Sequence, residues 1–278
     1  MSNPINKQRP GADWRGGRIS PRSRCVKANN PSPMTFGGTN TWILSEPGAP
    51  ACVVVDPGPE EQTHLEAILA ACEEDNLTIA AVVLTHGHLD HSEGAAHLAR
   101  LASAPLCSRE ADTLPNGSFS VADDGPQLEV ISIPGHSSDS VAFCFSADCS
   151  IVSGDIVFLH STTVICWPDG GLAEYLDSLK SLRRKVVAGG YKKLLTAHGA
   201  PIEDPIGIID RTEAHRIKRL SHVRDAIERS DSIDLDDILE EVYTDIDMRL
   251  SPAARLSIQA QLHYLIDIHD PSVRARQL

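Results

Sequence analysis

The order of apolar runs in this chain predicts an α+β fold, with sheets covered by helices. Three observations carry that expectation. Six short β-rich runs bounded by turn residues fall between 40 and 157. Segments of helical period lie between some of them. After Pro201 the β-runs stop and only helical patterns follow. Such a mixture of hairpin-like and strand-helix-strand units suits sheets packed under helices better than a single doubly wound sheet.

The elements follow in order. Strands are expected at "NTWILS" (40–45), "ACVVVDPG" (51–58), "AAVVLTH" (80–86), "LEVISIPGH" (128–136), "VAFCFS" (141–146) and "SIVSGDIV" (150–157). The segment 60–76 is read as a helix with Leu65, Ile68, Leu69 and Cys72 on one face, and 93–103 as a second helix capped by Ser92. A helix over 172–186 precedes a last strand, "KKLLTAHG" (192–199). Three helices close the chain, at 213–230, 233–243 and 251–268. The division expected is a catalytic domain over 1–205 and a small helical module over 206–278, the last two helices being like those of a helix-turn-helix or winged-helix unit.

Composition narrows the function classes. The 278 residues, 41% hydrophobic, can bury a substantial core. A formal charge of −13 argues against a general nucleic-acid binder, which needs clustered Lys and Arg. The tail 204–278 holds fifteen acids against ten bases, so it reads as a packing module rather than a DNA reader. The first 27 residues reverse the sign, with seven basic residues and one acid. A transit peptide is weighed there, but Pro4, Pro10, Gly11, Gly16, Gly17 and Pro21 break the amphipathic helix it would need. No apolar run approaches the ~20 residues that cross a bilayer, and a cytoplasmic location is expected. Seven cysteines, odd in number and never spaced C-x-x-C, read as reduced thiols filling the core, with Cys166 standing closest to the candidate site.

The chemistry is concentrated in "LTHGHLDHSEG" (84–94), where His86, His88, Asp90 and His91 crowd the exit of an apolar strand. Residues two apart on an extended segment point the same way, so His86 and His88 converge, and Asp90 and His91 follow where the chain turns into a helix. Imidazole and carboxylate donors without cysteine suit a catalytic zinc site, with manganese or iron as alternatives.

The string "THGHLDH" resembles the signature of the metallo-β-lactamase fold superfamily. That resemblance implies a metallo-β-lactamase-like αββα sandwich over roughly 34–202. It also requires a lone His, a bridging Asp and a final His at later strand ends. His136 in "PGHSSDS", Asp155 in "SGDIV" and His198 in "TAHGAP" stand in that order, each beside a glycine. By the resemblance, His86, His88 and His136 would hold one zinc, Asp90, His91 and His198 a second, and Asp155 would bridge them. Asp56 in "VVVDPG" would orient a ligand, with Thr85 in a similar part.

Within the superfamily the chain is most similar to the β-lactamase-like protein 2 subgroup, through 30–44, 161–182, 197–205 and the helical tail. In that subgroup the tail forms a winged-helix-like lid beside the metal cleft. Ile156 follows Asp155 where many bacterial members have His. His88 stands where dioxygen-reducing di-iron members carry a carboxylate, and Asp155 where the commonest zinc β-lactamases carry Cys. Only 43 positions separate Asp155 from His198, too few for the inserted cap of the large nucleases.

The expected function is hydrolysis of an ester, thioester, lactone or amide by a bridging hydroxide between two metals, with Asp90 and Asp155 as the catalytic carboxylates and a small molecule as partner. No G-x-S-x-G elbow competes with it. Three other readings stay open: a phosphodiesterase cutting single-stranded RNA, a mononuclear iron dioxygenase acting on a persulfide, and a non-catalytic binding protein on the same scaffold. His160 is a candidate substrate contact. Met34, Phe36, Gly37, Gly38 and Asn40 are expected at the pocket rim. His64, His97, His215, His222, His263 and His269 are read as ordinary surface or boundary residues. Oligomeric state is not legible.

Overall fold

Strands with apolar residues on both faces need cover on both sides, and the computed structural model shows where that cover comes from. The structure describes residues 13–229, 234–243 and 248–274. Two sheets stack face to face. The first has six strands in spatial order: β1 (Gly17–Arg18), β2 (Ser23–Lys27), β3 (Asn40–Ser45), β4 (Ala51–Val55), β5 (Thr78–Val83) and β6 (Leu106–Cys107). β1 to β4 pair antiparallel, while β4, β5 and β6 run parallel. The second sheet holds β7 (Gly117–Phe119), β8 (Leu128–Ser132), β9 (Val141–Phe145), β10 (Ser150–Gly154) and β11 (Lys193–Thr196), in the order β11-β10-β9-β8-β7. There only β10 and β11 are parallel.

Parallel neighbours need a crossover, and helices supply it. α1 (Gln62–Glu74) joins β4 to β5, α2 (Leu89–Ser92) and α3 (Ala95–Ala102) join β5 to β6, and α4 (Leu172–Gly189) joins β10 to β11. The two-residue period then sorts side chains between layers. Trp42, Leu44, Val53, Val55 and Val83 meet Val130, Val141, Phe143, Phe145, Val152 and Leu195 between the sheets. Ile43, Cys52, Val54, Val82 and Leu84 point the other way, onto Leu65, Ile68 and Cys72 of α1 and Leu98 of α3. On the far side, Ala142, Cys144 and Ile151 pack under Tyr175, Leu179 and Leu182 of α4. The result is a helix-sheet-sheet-helix sandwich.

Beyond β11 the regular elements among the described residues are helical: α5 (Pro205–Arg229), α6 (Leu235–Val242), α7 (Ser251–Asp267) and α8 (Pro271–Arg274). Ile208, Val223, Ile227, Ile238, Ile258 and Leu265 from this tail join the same apolar cluster as α4, so the tail thickens one outer layer. No helix among the described residues is long and apolar enough to cross a membrane.

Two local expectations are corrected, and two features are new. Ser92 does not cap the helix over 93–103; it ends α2, donates to the Gly87 carbonyl at 2.9 Å, and leaves Gly94 at the N-cap of α3. The long tail helix starts at Pro205 rather than 213, because the Asp204 carboxylate accepts from Gly207 N and Pro205 tolerates the first helical turn. The short strands β1, β2, β6 and β7 went unread, being too brief or too polar to alternate visibly. The basic run near the start is partly neutralised inside the fold: Arg18 pairs with Asp75, and Arg24 reaches Glu74 at 2.6 Å and Asp75 at 3.2 Å, at the end of α1.

Candidate metal centre

Five strand ends that point the same way deliver the site. Asp56 follows β4, Thr85 and His86 follow β5, His136 lies between β8 and β9, Asp155 follows β10 and His198 follows β11. The two sheets are sewn together beside it. Asn40 at the start of β3 donates through its amide nitrogen to the carbonyls of Thr196 (2.9 Å) and Gly199 (2.7 Å), and Trp42 Nε1 donates to Thr196 O at 3.1 Å.

Glycine is required where these loops turn. Gly154, just before Asp155, sits at φ 53°, and a Cβ there would stand 2.9 Å from Thr85 Oγ1. Gly135, before His136, sits at φ 130° with Tyr175 backbone 2.4 Å from the position of a Cβ. Asp56 holds φ 51°, a left-handed conformation costly for a residue with a side chain.

The structure brings His86, His88, Asp90, His91, His136, Asp155 and His198 into one cluster, and outer bonds orient four of the five rings. Thr85 Oγ1 donates to Asp56 Oδ2 at 2.7 Å, so it accepts from His86 Nδ1 at 3.0 Å. His91 Nδ1 donates to Asp56 Oδ2 at 3.0 Å, His136 Nδ1 to Val164 O at 2.6 Å, and His198 Nδ1 points at Gly38 O at 3.4 Å. With Nδ1 taken up by these outer partners, each of these rings turns its Nε2, the atom a metal would take, inward. His88 completes the set from the other side: its Nδ1 lies 2.9 Å from both His86 Nε2 and His136 Nε2.

Lone pairs facing one another at such distances repel unless a cation or proton lies between them. The fit to metal is therefore testable on the chain's own atoms. Three donor groups are compact enough to hold an ion: His86, His88 and His136; His86, His91 and Asp155; and Asp90, His91 and His198. His91 Nε2 and Asp155 Oδ1 are buried with no hydrogen-bond partner. Asp155 Oδ1 lies 3.5 Å from His91 Nε2 and 3.6 Å from His198 Nε2, and its other oxygen 3.6 Å from His136 Nε2. Asp90 Oδ2 lies 3.3 Å from His198 Nε2 and 3.6 Å from His91 Nε2. Ligands held tetrahedrally at about 2.0 Å from zinc stand about 3.3 Å apart, so these separations suit such an ion.

Charge divides the rings. Burial, reinforced by His91 and His136, pushes His86 well below the usual imidazole range, and burial also lowers His136. Burial opposes charge on His91 and His198 too, but Asp155 and Asp90 outweigh it; His91 is raised well above its ordinary value and His198 to about 9. Burial likewise opposes the carboxylate of Asp155, yet His198 and His91 hold it well below the usual range.

Residues around the cluster divide less neatly than expected. Phe36 is buried and meets Phe158 edge-on at 5.3 Å, and both rings pack against His198, at 6.0 and 5.6 Å. Met34 is 43% exposed. His160 is exposed on the segment between β10 and α4. Cys166 donates its backbone N–H to His136 O at 3.1 Å, while burial raises its thiol to about 11, which keeps it protonated. All seven cysteines are free thiols, five of them buried.

His64 is the clearest miss. It is buried, its Nε2 donates at 2.9 Å to Thr41 Oγ1, and that hydroxyl donates at 2.7 Å to Asp56 O. Its place on the Leu65 and Ile68 face of α1 was the available signal. His263, expected at the surface, is exposed but stacks on Trp167 with ring centroids 3.9 Å apart.

The model of the metallo-beta-lactamase superfamily matches residues 34–116, the stretch from the loop before β3 through the His-rich string. The chain belongs to the metallo-β-lactamase superfamily. Relatives in it are named as a thioesterase and as lactamase-like proteins, which together with the His and Asp groups that could hold metal supports a metal-dependent hydrolase. The β-lactamase-like protein 2 homolog of Caenorhabditis elegans is 25% identical over 252 residues, covering 86% of this chain and 82% of that one. An atrochrysone carboxyl ACP thioesterase of Aspergillus fumigatus is 34% identical over 197 residues, covering 67% of this chain. The chain spans 58% of that fungal protein's length. The crystal structure of a β-lactamase domain protein from Burkholderia ambifaria superposes with TM-score 0.76 at 20% identity, covering 96% of this chain and 92% of that one. This last likeness extends the metallo-β-lactamase fold over nearly the whole chain, tail helices included.

Proposed function

We propose that the chain is a two-zinc hydrolase acting on a thioester or a related ester, lactone or amide. His86, His88 and His136 would hold one ion, Asp90, His91 and His198 the other, and Asp155 would reach both. The observation that carries the reading is the convergence of imidazole Nε2 atoms, turned inward by Nδ1 bonds, around the unpartnered Asp155 Oδ1. A pair of divalent ions in such a site supplies hydroxide near neutral pH and stabilises negative charge on an attacked carbonyl oxygen.

The chain's own residues do the rest. Asp155, its side chain 11% exposed, keeps its charge among four imidazoles and so holds the cluster together. Asp90, 31% exposed, is the carboxylate with solvent access and passes the proton released by the attacking water to the leaving group or to bulk. Phe36 and Phe158 close the His198 side against water. The opening lies on the side of His88 and the exposed Leu89. Thioester is favoured within the bond class because the fungal relative is named a thioesterase. Residues 206–278 are read as a helical module of winged-helix kind packed onto α4, and seven free thiols support a reducing compartment such as the cytoplasm.

Metal analysis of the purified protein and assay of the zinc-loaded form on thioesters, esters, lactones and single-stranded RNA test this. Two zincs per chain with thioester turnover is the expected result. One iron with oxygen uptake, or RNA cleavage in place of thioester cleavage, would overturn it. Asp155→Ala should lower kcat/KM at least about 100-fold, since a direct ligand contributes more than the outer partners whose loss already costs 10- to 100-fold.

A further inference from the structure

We propose that Arg216 on α5 and Ser257 on α7 are positioning residues of the metal centre, acting through the strap 155–171 on His136 and Asp155. The inference rests on the proposed metal reading. It adds that the helical tail is part of the site's construction.

Three consecutive strap residues carry the coupling. Thr163 Oγ1 donates to Asp155 O at 2.6 Å. The carbonyl of Val164 takes the Nδ1 proton of His136 at 2.6 Å and thereby fixes which nitrogen of that ring faces the cluster. Each of these contacts is flanked by a bond from the tail: Arg216 Nη2 donates to Thr163 O, and Ile165 N donates to Ser257 Oγ at 3.3 Å. The strap is also pinned at its start, where Tyr175 OH donates to Ile156 O at 2.5 Å, and farther on, where Trp167 stacks on His263 of α7.

Arg216 is an expensive way to fasten a loop. Its side chain is buried, its Nε has no hydrogen-bond partner, and among the described residues it forms no ion pair. The face of Tyr175, 5.1 Å from the guanidinium carbon, and the Thr163 carbonyl are what offset the burial. A leucine would pack there at lower cost but would leave the Thr163 carbonyl without its donor. The Val164 carbonyl belongs to the very next peptide group, so His136 would then lose the fixed position of its acceptor.

The test uses the full chain with Arg216→Met, Arg216→Lys and Ser257→Ala, and Ile238→Ala as a variant that weakens tail packing away from the strap. The first readout needs no metal: long-range nitrogen correlation spectra of the imidazoles in metal-free protein. Wild type should show His136 with the proton on Nδ1, whereas Arg216→Met and Ser257→Ala should show a mixture of tautomers. The second is cobalt(II) affinity and visible spectrum, where Arg216→Met should bind about tenfold more weakly, as loss of an outer partner does, and Arg216→Lys should recover most of the affinity. Ile238→Ala should lower the melting temperature while leaving tautomer and spectrum unchanged.

A wild-type tautomer and cobalt affinity in both Arg216→Met and Ser257→Ala would overturn the inference, as would equal losses in Ile238→Ala. Should Arg216→Met fail to fold, Ser257→Ala decides alone. A wild-type protein that takes up no cobalt would sink the proposed function, while the imidazole spectra would still decide the role of Arg216 and Ser257.

Discussion

Asp56 shows how much one side chain can determine without touching metal. Its two oxygens take Thr85 N at 2.7 Å, Thr85 Oγ1 and His91 Nδ1, so it orients His91 directly and His86 through Thr85. Asp56→Asn exchanges one acceptor for a donor and should weaken zinc binding about 10- to 100-fold, measured by chelator competition. Protonation of the cluster gives a second expectation. His198, raised to about 9 chiefly by Asp155 against the effect of burial, is charged at neutral pH in metal-free protein, and zinc must displace its proton. Zinc affinity should therefore climb as pH rises from 6 towards 9; a flat profile would show that the ring is not a ligand. His64 carries the opposite sign. Burial lowers it to about 4, so the folded state prefers it neutral while the unfolded chain protonates near 6.5. Its contribution to stability is full above about 6.5 and is lost as pH falls through about 4. His64→Gln should flatten the acid limb of the urea-melt stability curve over that window.

At the scale of elements, the turns into the site are set by strand ends with no room for a side chain. Gly154→Ala would place a methyl group 2.9 Å from Thr85 Oγ1 at φ 53°. Strain of this kind costs about 1–3 kcal/mol, and a lowered urea midpoint together with weaker zinc binding is expected, because Thr85 holds both Asp56 and His86. A midpoint equal to wild type would mean that the turn relaxes freely. The strands themselves were readable because burial on both faces made them continuous apolar runs, as in Ala51–Val55. The edge strands β1, β6 and β7, two or three residues long, were not readable, since so short a stretch carries no period. The start of α5 was missed for a related reason: its capping signal lies in Asp204 and Pro205, ahead of the charged pattern that marked the helix.

For the whole molecule, the tail helices and α4 share one apolar cluster over the second sheet. Deleting residues 205–278 would remove α5 and α7 from α4 and bare part of that cluster, and the shortened chain should aggregate on expression instead of remaining a weaker monomer. Zinc would tie these layers together at one rim, because its proposed ligands come from both sheets. A ligand that binds only the folded state stabilises it by mass action, about 2.7 kcal/mol at a free concentration 100 times Kd. Melting temperature should rise with added zinc and fall back with chelator, and the same titration on Asp155→Ala should give a smaller rise.

What the sequence determined by itself was the chemistry on offer. The local string from His86 to His91 offered four candidate donors by residue type and spacing, and the family resemblance added His136, Asp155 and His198 at later apolar run ends. Tertiary structure alone decided which nitrogen each ring presents. That choice depends on Asp56, Thr85, Gly38 and the Val164 carbonyl, partners up to 160 positions away in the chain. It also decided that Arg216, on a helix of charged pattern, lies inside the fold. Burial of a single polar side chain follows from what packs against it, and no period or spacing in the chain records that.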